Sequence, residues 1–300
     1  MLKSKEKVSI IIPVFNEEQS IAQTVSEIKK IDLLDEIIIV NDGSTDNSLA
    51  KIKEIEGVKV ISHDRNIGYG ASLKTGAKNA LGEILVIIDC DGSYPVESVT
   101  TLLEFISDYD MVVGARVGKE VKIPLIRKPA KYCLNLLANI LTNSRIPDLN
   151  SGLRVFRRSI FTEREYLLPD GFSLTTTITI AYLSDNRRVK YVPIDYHKRK
   201  GSSKIRPIRD TLDFFTLIVS LVFYFNPLKV TMPLSILLFS VGLLHLTYNV
   251  IKNSNVTEMS VLILLSGGML FIIGFLADMI VKINKKTHKI YSEKNGESNS

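Results

Sequence analysis

Hydrophobic and polar positions divide this chain into three stretches of different period. In the first, runs rich in Val and Ile recur at Val8–Val14, Ile37–Val40, Val58–Ile61, Ile84–Ile88 and Met111–Gly114. Helix-like stretches at Glu18–Lys30, Asp46–Ile55 and Ala71–Ala80 separate the first four runs. Near-continuous apolar runs bounded by turn residues predict strands buried on both faces. Their alternation with amphipathic helices predicts an α/β fold with a mainly parallel sheet. Residues 116–210 break that rhythm and carry many basic residues and prolines. They read as an irregular wall of a site, with one helix over 171–184, and not as a separate fold.

The third stretch is apolar. Val230 to Tyr248 and Met259 to Ala277 contain no Asp, Glu, Lys or Arg. Each approaches the ~20 residues that cross a bilayer as a helix. The connector carries only Lys252 and Glu258, and Lys282, Lys285, Lys286 and Lys289 follow the second run. The positive-inside rule then predicts an integral membrane protein with both termini cytosolic. The layout expected is a cytosolic catalytic domain over 1–210, an amphipathic juxtamembrane helix over 211–227, transmembrane helices over 228–250 and 258–282, and a basic, disordered tail over 283–300. The N-terminus runs from Lys-rich residues straight into a strand, without the apolar stretch of a signal peptide.

Composition changes this picture little. The formal net charge of +6 points to anionic partners, with lipid headgroups, phosphates and nucleic acid all open at that level. The basic residues cluster beside the membrane segments without interleaved aromatic residues, which argues against nucleic acid. Two cysteines, Cys90 and Cys133, give neither a disulfide framework nor a zinc spacing.

The chemistry sits where strands are expected to end. The run Ile84–Ile88 stops in Asp89-Cys90-Asp91-Gly92. Two carboxylates at the C-terminal edge of a parallel sheet can share a hard divalent cation, and that cation can clamp a diphosphate. A solvated acidic turn is the plain alternative. The second strand ends in Asn41-Asp42-Gly43-Ser44-Thr45-Asp46, where Asp42 can accept from a base or ribose and Ser44 or Asp46 can cap a helix. The third is followed by Asp64-Arg65-Asn66-Ile67-Gly68-Tyr69-Gly70, where Arg65 brings charge near a phosphate or ribose. The first turn, Pro13-Val14-Phe15-Asn16-Glu17-Glu18, has no glycine, which counts against a dinucleotide-binding enzyme.

Together these four motifs, in this order, resemble glycosyltransferase family two, a GT-A fold, over roughly residues 7–205. The resemblance implies that Pro13, Phe15, Glu17, Asp42, Arg65 and Asp89 bind the donor nucleotide. It implies that Asp91, with Asp89, holds a divalent cation, Mg or Mn. Ser93 stands where the polyprenyl-phosphate enzymes of the family often carry Gln, and it is a weaker oxygen ligand. Two further blocks, Asp148–Arg158 and Tyr196–Arg206, look like those of dolichyl- and undecaprenyl-phosphate hexosyltransferases. The second packs cations around a Gly-Ser-Ser turn just before the membrane segments, a set of donors suited to phosphate. By the same resemblance Arg116 and Arg127 meet the acceptor phosphate, joined by Lys131, Arg199, Ser203 and Lys204. Asp148 is either a base for a hydroxyl acceptor or a partner that orients a cation.

The function expected is inverting transfer of a hexose from a nucleoside-diphosphate sugar to polyprenyl phosphate at a bilayer. A lipid or glycan hydroxyl acceptor is the second reading, and a membrane scaffold or transporter subunit with a nucleotide-sugar fold the third. Assembly into a homo-oligomer is left open.

Overall fold

The computed structural model describes residues 6–117, 135–197 apart from 137, 141 and 172, residues 216 and 220, and 223–297. The chain forms two compact units, residues 1–217 and 218–300. The first is built on a seven-stranded sheet. In chain order its elements are β1 (Val8–Val14), α1 (Ile21–Ile28), β2 (Glu36–Asn41), α2 (Ser48–Lys53), β3 (Lys59–Ser62), α3 (Tyr69–Asn79), β4 (Ile84–Ile87) and α4 (Ser98–Leu103). There follow β5 (Met111–Arg116), β6 (Arg154–Arg157), α5 (Arg158–Glu163), α6 (Leu174–Ser184) and β7 (Val189–Ile194). The strand order is β3-β2-β1-β4-β6-β5-β7.

Apart from Ser9, strands β1 and β4 are apolar because helices cover both faces of the sheet. Ile10, Ile12, Ile84, Val86 and Ile88 pack with Ile21, Val25 and Ile28 of α1 and Val99, Leu102 and Leu103 of α4. Ile11, Leu85 and Ile87 point the other way, against Leu73 and Ala77 of α3, Phe161 of α5 and Ile178 and Tyr182 of α6. Alternation of side chains along each strand thus builds two cores from one sheet. The winding runs outward from β1 through β2 to β3, then returns to place β4 on the other side of β1. Ligands of open α/β sheets bind beyond the carboxyl ends of strands at such a reversal.

The five strands and three helices expected from sequence form, with ends shifted by a few residues. The reading of 116–210 as an irregular wall needs correction. That stretch also supplies β6 and β7, and so it completes the sheet. Strand β6 lies antiparallel between β4 and β5, while β7 pairs in parallel with β5. Neither announces itself in sequence. β6 has Arg at both ends of four residues, and β7 contains Lys190 and Pro193. Proline is tolerated in β7 because that strand is at the sheet edge.

In the second unit, α7 (Leu228–Asn253) and α8 (Glu258–Glu297) are each long and apolar enough to cross a membrane. Their contact is close-packed through small residues. Gly242 faces Leu264, Gly267 faces Phe239, and Gly274 faces Thr231. Ser235 donates its hydroxyl to the Gly267 carbonyl at 2.8 Å, and His245 Nδ1 lies 2.8 Å from Ser260 Oγ. Leu237, Leu244 and Ile251 on α7 and Leu262, Met269 and Ile280 on α8 are exposed. Helix α8 extends to Glu297. Residues 283–297 contain no proline and are rich in lysine, a good helix former. The juxtamembrane helix expected over 211–227 falls mostly outside the described residues.

One glycine shows how tightly the first unit closes. A Cβ on Gly70, in the first turn of α3, would lie 2.2 Å from the Pro169 carbonyl oxygen. Gly70→Ala therefore forces α3 and the 169–171 loop apart. We expect about 1–3 kcal/mol of destabilisation, read as a lowered thermal midpoint of the purified full-length chain.

Candidate active site

The exits of β1 and β2 are knitted together. Asn16 has a positive φ of 55° and donates its backbone N–H to Ser44 Oγ at 3.0 Å. Its side-chain oxygen accepts the Thr45 amide at 2.7 Å. Glu17 N–H donates to Ser48 Oγ at 2.8 Å. Asp46 accepts the Ser48 amide at the start of α2, so its role is local capping. Burial opposes ionisation of Asp46, but hydrogen bonds from Ser48 and Glu18 hold its carboxyl below the ordinary value. Pro13, Phe15 and Glu17 are thereby fixed at the mouth of β1, all partly exposed.

Asp42, at the end of β2, is buried. Its two oxygens accept the backbone amides of Ile67 at 3.0 Å and Gly68 at 2.9 Å, and Oδ1 lies 2.8 Å from His63 Nδ1. The other His63 ring nitrogen sits 3.0 Å from Thr75 Oγ1. Asp42 thus clamps the turn that carries the exposed Arg65. Gly43, with φ of 63°, is needed there because a Cβ would lie 2.4 Å from the Arg65 backbone.

Beyond β4, Asp89 and Asp91 emerge over the reversal of the winding. Asp91 is 6% exposed. Its Oδ1 accepts both the Ser93 amide at 3.0 Å and the Ser93 hydroxyl at 2.5 Å. The Ser93 hydroxyl is therefore turned onto Asp91, which it orients. Asp89 lies against two partners. The Gly152 α-carbon is so near that a Cβ would sit 2.3 Å from Asp89 Oδ2. The other is the Tyr69 hydroxyl, whose pKa is pushed well up by burial and by the Asp89 charge.

Among the described residues no three His, Cys, Asp or Glu side chains converge as a metal cage. Two hard carboxylates alone do suit Mg²⁺ or Mn²⁺ of the kind that takes its remaining ligands from substrate phosphates and water.

Arg116, the last residue of β5, meets the buried Asp148 in a two-point contact, Nε to Oδ2 at 2.7 Å and Nη2 to Oδ1 at 2.9 Å. Asp148 Oδ2 also accepts the Arg116 amide at 3.0 Å. Burial alone would lower the Arg116 pKa, but the bonds to Asp148 outweigh it and raise the pKa, so the guanidinium stays charged. Its Nη1 makes no hydrogen bond to any described residue. The guanidinium carbon lies 5.1 Å from the centre of the Tyr196 ring.

The structure brings Pro13, Phe15, Glu17, Asp42, Arg65, Asp89, Asp91, Ser93, Arg116 and Asp148 to the exits of β1, β2, β4 and β5 and the turns beside them. Arg127, Lys131, Arg199, Ser203 and Lys204 lie outside the described residues. Sequence reasoning gave no individual role to Tyr94, Gly152, Arg154 or Tyr196. For Gly152 and Arg154 the signal was their place in the Asp148–Arg158 block; for Tyr94 there was none.

An open sheet with an acidic turn at its winding reversal and arginine opposite is the architecture of a nucleotide-dependent α/β enzyme. The chain belongs to glycosyl transferase family 2, whose model matches residues 9–164, just over half of the sequence. It is a glycosyltransferase. Residues 226–283 match the GtrB C-terminal hairpin, which covers α7 and much of α8 and makes this a membrane protein. Among curated relatives, a dolichyl-phosphate hexose transferase of Haloferax volcanii is 29% identical over 67% of this chain and 88% of its own. A dodecaprenyl-phosphate galacturonate synthase of Rhizobium johnstonii is 24% identical over 92% and 88%. Among solved structures, glucosyl-3-phosphoglycerate synthase from Mycobacterium tuberculosis, in complex with Mn²⁺, UDP-glucose and phosphoglyceric acid, superposes with a TM-score of 0.59. It is 20% identical and the match covers 73% of this chain and 81% of that one, a likeness of fold.

The contact of Gly152 with Asp89 yields a prediction. Gly152→Ala must displace the Asp89 carboxylate while leaving both cores intact. Sugar transfer should fall by about 10²-fold with little change in the thermal midpoint, measured on the same preparation.

Proposed function

We propose that this enzyme transfers a hexose from a nucleoside-diphosphate sugar to polyprenyl phosphate, with inversion at the anomeric carbon. The observation that carries this reading is the Arg116–Asp148 pair. Asp148 is buried and both of its oxygens are occupied by Arg116. A carboxylate so engaged is a poor proton acceptor, which disfavours a hydroxyl acceptor activated by it. A phosphate monoester, with a second pKa of about 6, is its own nucleophile and needs only to be held against the negative donor. Among the described residues Arg116 Nη1 has no hydrogen-bond partner, which leaves its two N–H donors for that purpose. The names of the Haloferax and Rhizobium relatives, and the hairpin that puts the enzyme at a bilayer, support the same acceptor.

On this reading Pro13, Phe15, Glu17 and Arg65 receive the nucleoside and its phosphates, with Asp42 fixing the Arg65 turn. Asp91, oriented by Ser93, and Asp89 would hold a divalent cation, which when bound offsets charge on the departing diphosphate. Arg116, with Arg127, Lys131, Arg199, Ser203 and Lys204, would grip the lipid phosphate, and Asp148 would position Arg116. A phosphate oxygen attacks the anomeric carbon as its bond to the diphosphate oxygen breaks. The products are the glycosylated lipid phosphate and a nucleoside diphosphate. The lysines after the second span support a cytosolic position for the catalytic unit and both termini.

Membranes containing the enzyme, given labelled nucleotide sugars with undecaprenyl phosphate or undecaprenol, should move label into the lipid phase only with the phosphate. Label on undecaprenol would instead establish a hydroxyl acceptor, and no label from any donor would sink the reading. Asp91→Asn should lower transfer by about 10²-fold while the protein still inserts into membranes. Transfer should also decline as pH falls through about 6, because the acceptor gains a proton there while Arg116 stays charged; a rate unchanged down to pH 5 would contradict the proposed nucleophile.

A further inference from the structure

The exit of β7 contacts both sides of the site. Tyr196 lies two residues past the end of β7, and its ring supports the Arg116 guanidinium at 5.1 Å. The same ring meets Tyr94 edge-on, with centroids 5.3 Å apart and planes at 74°. The Tyr94 hydroxyl accepts the Gly152 amide at 2.6 Å, and Gly152 abuts Asp89. The next residue, His197, donates its backbone N–H to the Ser93 carbonyl at 2.9 Å, while the Ser93 side chain holds Asp91. That backbone bond fixes where the chain leaves the sheet, just before the basic segment.

Asp148 grips Arg116 along one edge of the guanidinium and so leaves the plane free to pivot about that edge. The Tyr196 ring closes this freedom from below. An aromatic face attracts a guanidinium electrostatically, and the Tyr94 contact fixes the ring's own orientation. We propose that Tyr196 is a positioning residue, one that holds Arg116 in the orientation that presents Nη1 to the acceptor phosphate and ties that arginine to the Asp91 turn. The proposal rests on the lipid-phosphate reading above.

The test uses the full-length chain in nanodiscs, titrated with undecaprenyl phosphate and, separately, with undecaprenol. Wild type should bind the phosphate more tightly than the alcohol. Tyr196→Leu and Tyr196→Gln should each weaken undecaprenyl phosphate by about tenfold and leave undecaprenol unchanged. Tyr196→Phe, which keeps the ring, should restore wild-type affinity. If Leu and Gln bind the phosphate as wild type does, or if Phe loses as much as they do, Tyr196 does not act through Arg116. An equal loss for the alcohol and the phosphate would mean general disruption and would also overturn the proposal. A wild-type enzyme that does not distinguish the two lipids would refute the acceptor reading itself, a result separate from any effect of Tyr196. Should Leu not fold, the Gln and Phe pair still decides the matter.

Discussion

A guanidinium buried to 0% exposure, that of Arg154, is the constraint on which the site's geometry depends. Burial lowers its pKa, and the cost of taking such a cation out of water is several kcal/mol unless its donors are satisfied. Arg154 meets that condition through the chain itself. Nε donates to the Ser151 carbonyl at 2.7 Å, Nη2 to the Leu149 carbonyl at 2.8 Å, and Nη1 to Thr179 Oγ1 at 2.5 Å. Two of those acceptors belong to the segment between Asp148 and Gly152. The charge therefore fixes the segment that holds Arg116 on one side and abuts Asp89 on the other.

The same logic explains why an antiparallel strand interrupts a parallel sheet. With β6 between β4 and β5, Ile87 pairs with Arg154, and the approach to β6 lies beside the exit from β4. A parallel strand in that position would put its own start at the opposite edge of the sheet. The reversed strand delivers a polypeptide turn, with its carbonyls and Asp148, to the edge where ligands of open α/β sheets bind. Acidic and cationic groups then face each other across that edge: Asp89 and Asp91 from β4, Arg116 from β5. The division suits a reaction in which two phosphate-bearing molecules must meet, because each needs its own source of positive charge.

Much of this was legible in the sequence. The apolar runs of β1, β2 and β4 and the helices between them follow from periodicity, since strands buried on both faces have few polar positions to disguise them. The four turns were legible because each interrupts an apolar run with a short polar motif. The hairpin was legible from two runs free of charge. What was hidden has a common cause. Strands β6 and β7 mix Arg, Lys and Pro with apolar residues, and their stability comes from neighbours far away in the chain.

Sequence by itself determined the chain's α/β character, its membrane hairpin, and Asp42, Asp89 and Asp91 as chemical groups at strand ends, while Arg116 and Asp148 came from the resemblance to the family. Those are properties of local pattern. Only the tertiary structure decided what each group does with its bonds. Asp42 clamps a backbone turn, Ser93 orients Asp91, Asp148 grips Arg116, and Tyr196 stacks beneath that arginine. The physical reason is distance along the chain. Arg116 and Asp148 are in different parts of the sequence, and so are Ser93 and His197. Their contacts exist only because β6 and β7 fold back beside β4 and β5, a pairing that no local period encodes.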